Sequence, residues 1–209
     1  MKQGLLIIIS GPSGVGKGTL RKKVMYDHLL DAVFSVSDTT RKKRPKEIQG
    51  REYHFISKYK FDENLRNNEY LEHTSYCGND YGTPRKFIDD NLNAGKNVIL
   101  EIEASGARQA IEQYHGMYTI SFLLIPPTLE ELERRIRLRH SESEEEIQRR
   151  IDTAKQEIAG KDFYDVVLTN YTLNKTVKRF LSSIQNRINY INAIENNEEP
   201  PEGYTIKHP

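Results

Sequence analysis

The 209 residues carry 31 basic and 30 acidic side chains, so no global field favours nucleic acid or an anionic membrane, and an anion site has to come from local clustering. This length suits one domain, or a core with modest insertions, able to bury most of its apolar surface alone. A single cysteine, Cys77, permits no internal disulfide, and the apolar opening run is far too short for a signal peptide or a membrane span, so a reducing, cytoplasmic setting is expected.

Residues 5–9 form a continuous apolar run, the pattern of a parallel strand buried on both faces. Similar runs at 32–36, 97–102 and 118–125, and a weaker one at 165–168, predict four more strands. Helical patterns lie at 17–30, 85–94, 129–138, 144–158 and 176–194. Strands alternating with helices predict an α/β core whose five-stranded parallel sheet is flanked by helices. Residues 37–84, rich in charge, tyrosine and glycine, break that alternation and read as an inserted mixed α+β subdomain. The polar stretch 137–143 joins two helices and suits a mobile helical lid over about 137–150. Residues 195–209, with two adjacent prolines, read as a flexible tail that adds little to the core. The 176–194 helix reads as a covering element rather than a dimer surface; monomer and homodimer both stay open.

Gly11-Pro12-Ser13-Gly14-Val15-Gly16-Lys17-Gly18-Thr19 follows the first strand and opens the first helix, the context a phosphate loop needs. Its glycines let backbone N–H groups converge on a polyphosphate at a helix N-terminus. Lys17 supplies a mobile charge for the β- and γ-phosphates. In the strict pattern a hydroxyl for magnesium directly follows the lysine; here Gly18 intervenes and Thr19 offers it. The strand at 97–102 ends near two carboxylates, Glu101 and Glu103, where magnesium or a base can be met, with Glu101 a candidate for contact through water.

The insertion opens with Ser37-Asp38-Thr39-Thr40-Arg41-Lys42-Lys43-Arg44, hydroxyl donors and guanidinium forks suited to a phosphate monoester. It continues through Gly50-Arg51-Glu52-Tyr53-His54-Phe55, Glu69-Tyr70-Leu71-Glu72 and Gly78-Asn79-Asp80-Tyr81-Gly82-Thr83-Pro84. With these motifs in order, the chain resembles the guanylate kinases, P-loop nucleoside monophosphate kinases that move the terminal phosphate of ATP to GMP or dGMP. The resemblance covers nearly the full length. It implies that Ser37, Arg41, Arg44, Tyr53 and Tyr81 bind the acceptor phosphate, that Glu72, Thr83 and Glu103 read guanine, and that Lys17, Arg41, Arg135, Arg139 and Arg150 assist transfer. It also implies that Asn170 lies near adenine and that magnesium accompanies ATP.

Three places depart from that pattern. Glu103 stands where the family usually has aspartate, and Ser105 where it has glutamine, which makes the loop there differ in detail. Leu138-Arg139-His140-Ser141 lacks the glycines of the usual lid. Asn170 is followed by Tyr171 instead of an acid. Cys77 and His73 are assigned no chemistry, and the basic patches lack the aromatic interleaving of a single-strand binder. Two rivals remain: a guanylate-kinase-like interaction module, disfavoured by the complete loop around Lys17, and a related kinase with another phosphorylated acceptor, favoured by Glu103 and Ser105.

Overall fold

The computed structural model describes residues 3–76, 78–138 and 143–207. Five strands pair in parallel, β1 (Leu6–Ser10), β2 (Ala32–Phe34), β7 (Asn97–Glu101), β8 (Thr119–Ile125) and β9 (Val166–Thr169), in the order β2-β7-β1-β8-β9. Central β1 aligns Ile7 with Ile99 on one side and with Ile120 on the other. Its side chains alternate between two cores. Ile7 and Ile9 face a cluster with Leu20, Leu132, Ile151 and Phe180, contributed by α1 (Lys17–Tyr26), α5 (Leu129–Arg137), α6 (Glu144–Ala159) and α7 (Leu173–Glu195). Leu6 and Ile8 face Ile88, Leu92, Ala107 and Ile111 of α3 (Arg85–Asn93) and α4 (Ala104–Gln113). This is the expected core. Because the strands are parallel, Gly11, Glu101 and Asn170 all emerge at the same edge, beside the strand where the connections change direction, the usual ligand crevice of such sheets.

A second sheet, ordered β4-β3-β6-β5, is built from β3 (Asp38–Thr39), β4 (His54–Phe55), β5 (Tyr70–Tyr76) and β6 (Asn79–Pro84). Helix α2 (Lys58–Arg66) accompanies it, capped by the Ser57 side chain. Outer strand β5 is covered by α4: Gln109 exchanges two hydrogen bonds with the His73 backbone, and Gln113 donates to the Leu71 carbonyl at 2.8 Å. Those amides satisfy groups that an open edge would expose.

Several expectations change. Helix α4 is absent from the sequence reading, although Ala107, Ala110 and Ile111 recur at helical spacing and are buried. Ser105 and Gly106 therefore lie in a first helical turn, not a loop. Helix α1 stops at Tyr26, short of residue 30, and His28 adopts φ 51°. Strand β2 stops at Phe34, and α7 is longer than expected at both ends. The closing segment, expected to be a loose tail, is docked: the Tyr204 hydroxyl accepts from Arg187 Nε at 2.8 Å, and Lys207 donates to the Tyr164 carbonyl at 2.9 Å. Among the described residues, no helix is long and apolar enough to cross a membrane.

Candidate active site

The turn after β1 is a glycine conformation throughout, with φ of 140°, 90° and 107° at Gly11, Gly14 and Gly16. At Gly11 space is also decisive, since a Cβ there would stand 2.2 Å from the Leu124 carbonyl oxygen of β8. No side chain caps α1, so its first N–H groups stay open to an anion. Lys17 Nζ donates to the Gly11 carbonyl, folding back over the loop, and lies 3.8 Å from Glu103 Oε1.

Three elements brace this loop. Asn170 donates to the Val15 carbonyl at 2.8 Å and accepts from Thr176 at 2.9 Å. Its side-chain amide thus holds the loop from the end of β9. Arg135, steadied by Glu131 at 2.8 Å, reaches the carbonyls of Val15 and Asn170. Arg150 on α6 donates to Ser13 Oγ at 2.6 Å. Arg139 lies outside the described residues, as does Cys77. Pro12, Ser13, Gly14, Gly16, Lys17, Gly18 and Thr19 line a pocket of about 310 Å³ together with Lys22, Glu101 and Glu103. Thr19 is exposed at its mouth. Glu101 accepts from Arg21 Nε at 2.8 Å through Oε2, while Oε1 lies 3.5 Å from the Cβ position of Gly18.

A larger cleft of about 760 Å³ joins the loop to the second sheet. Ser13, Lys17 and Arg150 form one wall; Ser37, Arg41, Arg44, Tyr53, Glu72 and Tyr81 form the other, with Glu101 and Glu103 on the floor. Glu72 is 3% exposed and Thr83 fully buried behind it. Thr83 gives its hydroxyl proton to Glu72 at 2.5 Å, so the Ser37 hydroxyl, 3.1 Å away, donates to Thr83. Burial raises the Glu72 carboxyl to about 7, the charge on Glu103 adds to the rise, and the Thr83 hydrogen bond opposes it. Tyr53 is pushed up to about 12, chiefly by burial, with Tyr81 next in effect.

The chain as a whole is similar to known proteins. A family model described as guanylate kinase matches residues 3–187. The chain belongs to the guanylate kinase family. The guanylate kinase of Mesoplasma florum is 45% identical over 177 residues, 85% of this chain but only 59% of that protein, so the chain spans under two thirds of that relative. That of Nostoc sp. is 46% identical over 80% of this chain and 82% of that protein. The crystal structure of guanylate kinase from Anaplasma phagocytophilum aligns at a TM-score of 0.70 and 30% identity, covering 88% of this chain and 86% of that one.

Two carboxylates that line these pockets escape the sequence reading. Glu47 pairs with Arg41 through both oxygens, at 3.0 and 2.8 Å. Glu157 lies two helical turns beyond Arg150, on the same face of α6, and lines a side pocket with Ser13, Glu103 and Arg150. Burial, then the charge on Glu103, raise its carboxyl to about 7, while Lys17 opposes the rise. The Arg150 and Glu157 spacing was a usable signal. Nothing local marks Glu47 apart from its neighbours in a charged loop.

Proposed function

We propose that the protein transfers the γ-phosphate of ATP to GMP, and to dGMP, yielding ADP and GDP or dGDP. The supporting observation is the single cleft in which Lys17, Ser13 and Arg150 face Ser37, Arg41, Arg44, Tyr81 and Glu72. One wall offers backbone N–H groups and cations to a polyphosphate; the other offers hydroxyls and guanidinium forks to a monoester. Guanine presents N1–H and N2–H as adjacent donors, which one ionised carboxylate, Glu72, accepts together. Adenine presents an acceptor there and would leave a buried charge opposed by a lone pair.

No side-chain nucleophile is required. Transfer depends on placing two phosphates in line and offsetting charge, with Lys17 and Arg150 serving the donor and Arg41 and Arg44 the acceptor. Residues 37–84 act as the acceptor-binding subdomain and residues 137–150 as the lid that excludes competing water. The Thr19 hydroxyl and Glu101 Oε1 fit Mg²⁺ in its usual manner, few protein oxygens beside water and phosphate, and the Arg21 contact on Oε2 suits a carboxylate acting through water. When bound, the ion offsets negative charge on the β- and γ-phosphates.

A coupled ADP-release assay with ATP and each of GMP, dGMP, AMP, CMP and UMP tests this reading. GMP and dGMP should exceed AMP by at least about 100-fold in kcat/KM, and Lys17→Ala should abolish turnover. Equal rates with AMP and GMP would overturn it in favour of a different acceptor, and no transfer to any acceptor would favour an interaction module.

A further inference from the structure

We infer that Glu47 is a positioning residue that aims Arg41 at the acceptor phosphate, an inference that rests on the GMP-kinase reading above. Glu47 lies in the loop between β3 and β4, and its carboxylate meets the end of the Arg41 guanidinium in a two-pronged pair, Oε2 to Nη1 at 3.0 Å and Oε1 to Nη2 at 2.8 Å. Nη1 gives its remaining hydrogen to the Lys42 carbonyl at 2.9 Å. A guanidinium has five N–H donors. Three are spent, and those left, on Nε and on the outer side of Nη2, share the lateral edge of the fork. That edge suits a second bidentate anion, or the neighbouring Tyr81 phenol until one arrives.

The same carboxylate holds the other phosphate arginine, since Glu47 Oε2 accepts from the Arg44 backbone N–H at 2.8 Å. The guanidinium also lies 5.4 and 5.6 Å from the ring centres of Tyr53 and Phe55. Side-chain exposures of 14% for Arg41 and 16% for Glu47 set the pair apart from the exposed ion pairs of α2 and α3. Arg41 therefore enters the reaction already oriented, which a free arginine would have to achieve on binding. The opposite possibility is that Glu47 competes with the phosphate for Arg41.

The two are separated by Glu47→Ala and Glu47→Gln, compared with wild type by steady-state kinetics and by calorimetric binding of GMP and of inorganic phosphate. For Glu47→Ala the expected result is a KM for GMP raised about tenfold or more, equivalent to about 1.4 kcal/mol, with kcat and the KM for ATP within about threefold. Glu47→Gln, which keeps one acceptor oxygen, should fall between Ala and wild type. Melting temperatures confirm that both variants are folded. Tighter or unchanged binding of GMP and phosphate to Glu47→Ala would overturn the inference, as would a parallel rise in the KM for ATP. If wild type does not phosphorylate GMP, the functional reading falls, and phosphate binding to wild type and Glu47→Ala still decides the role of Glu47.

Discussion

The carboxylate of Glu72 rests against the bare Cα of Gly106: a Cβ built there would stand 2.1 Å from Oε2 and 2.9 Å from Cδ. Gly106 sits in the first turn of α4, so its value lies in the space it leaves rather than in backbone freedom. Glu72 cannot retreat without breaking its bond to Thr83. Gly106→Ala should therefore displace the carboxylate and lower kcat/KM for GMP by about 100-fold, as misplacement near 1 Å can. The KM for ATP should barely change. Kinetics with both substrates varied decide the matter; an unaltered GMP constant would remove Glu72 from the base-reading role.

At the far end of the sheet, Arg187 is 1% exposed and bonds to Asp165 at 3.1 Å, to the Thr119 carbonyl and to Tyr204. Thr119 begins β8, so this cluster lies at the strand ends opposite the phosphate loop. Tyr204→Phe removes the acceptor for one charged donor and should cost about 1.5–3 kcal/mol in urea unfolding. Arg187→Met leaves Asp165 without its cation and should cost about 3–5 kcal/mol. Kinetic constants for Tyr204→Phe should match wild type. A variant as stable as wild type would mean that the closing segment is not docked in solution.

The core was legible because its strands are buried on both faces and read as uninterrupted apolar runs, and the loop because its glycines and Lys17 are contiguous. Helix α4 was hidden by its opening Ala-Ser-Gly, and that concealed the packing of Gly106 on Glu72, two residues far apart in the chain. The docking of Tyr204 was illegible for a similar reason: its partner Arg187 looks in sequence like any solvated helix arginine. Asn170 stands out in sequence only by its place after the last strand, and the fold shows its amide turned to Val15 and Thr176. Glu47 escaped for a different reason, since its pairing with Arg41 lies within one charged loop that has no periodicity to mark it.

The Asn170 arrangement makes a separable prediction. Asn170→Ala leaves the Val15 carbonyl with only the longer Arg135 contact at 3.4 Å and the Thr176 hydroxyl with only the Thr172 carbonyl at 3.1 Å, in a site where Asn170 is 8% exposed. The expected cost is about 1–3 kcal/mol of stability together with a several-fold higher KM for ATP, because the phosphate loop loses a brace. GMP binding in the absence of ATP should be unaffected, since Asn170 does not line the cleft's acceptor wall. Calorimetric titration with each nucleotide separately checks this. Equal weakening of both would show that Asn170 supports the whole cleft rather than the loop.

Glu72 links stability to function through pH. Its carboxyl is raised from 4.5 to about 7 in the folded protein, first by burial and then by the charge on Glu103. The folded state thus keeps a proton that the unfolded chain has lost, so stability falls as pH rises from about 4.5 to about 7, by an amount on the order of 3 kcal/mol. Glu72→Gln cannot ionise. It should melt higher than wild type at pH 8 without nucleotide, and the gain should vanish near pH 4. Guanine needs the ionised form, so wild-type GMP affinity should rise with pH up to about 7, by about tenfold per unit below that value. The phosphate of GMP titrates near pH 6 as well. The Glu72→Gln variant carries the phosphate contribution alone and supplies the baseline: its GMP affinity should be weaker at pH 8 and less dependent on pH. Profiles of equal slope for the two proteins, measured by calorimetry from pH 5.5 to 8.5, would rule out Glu72 as the titrating acceptor of the guanine donors.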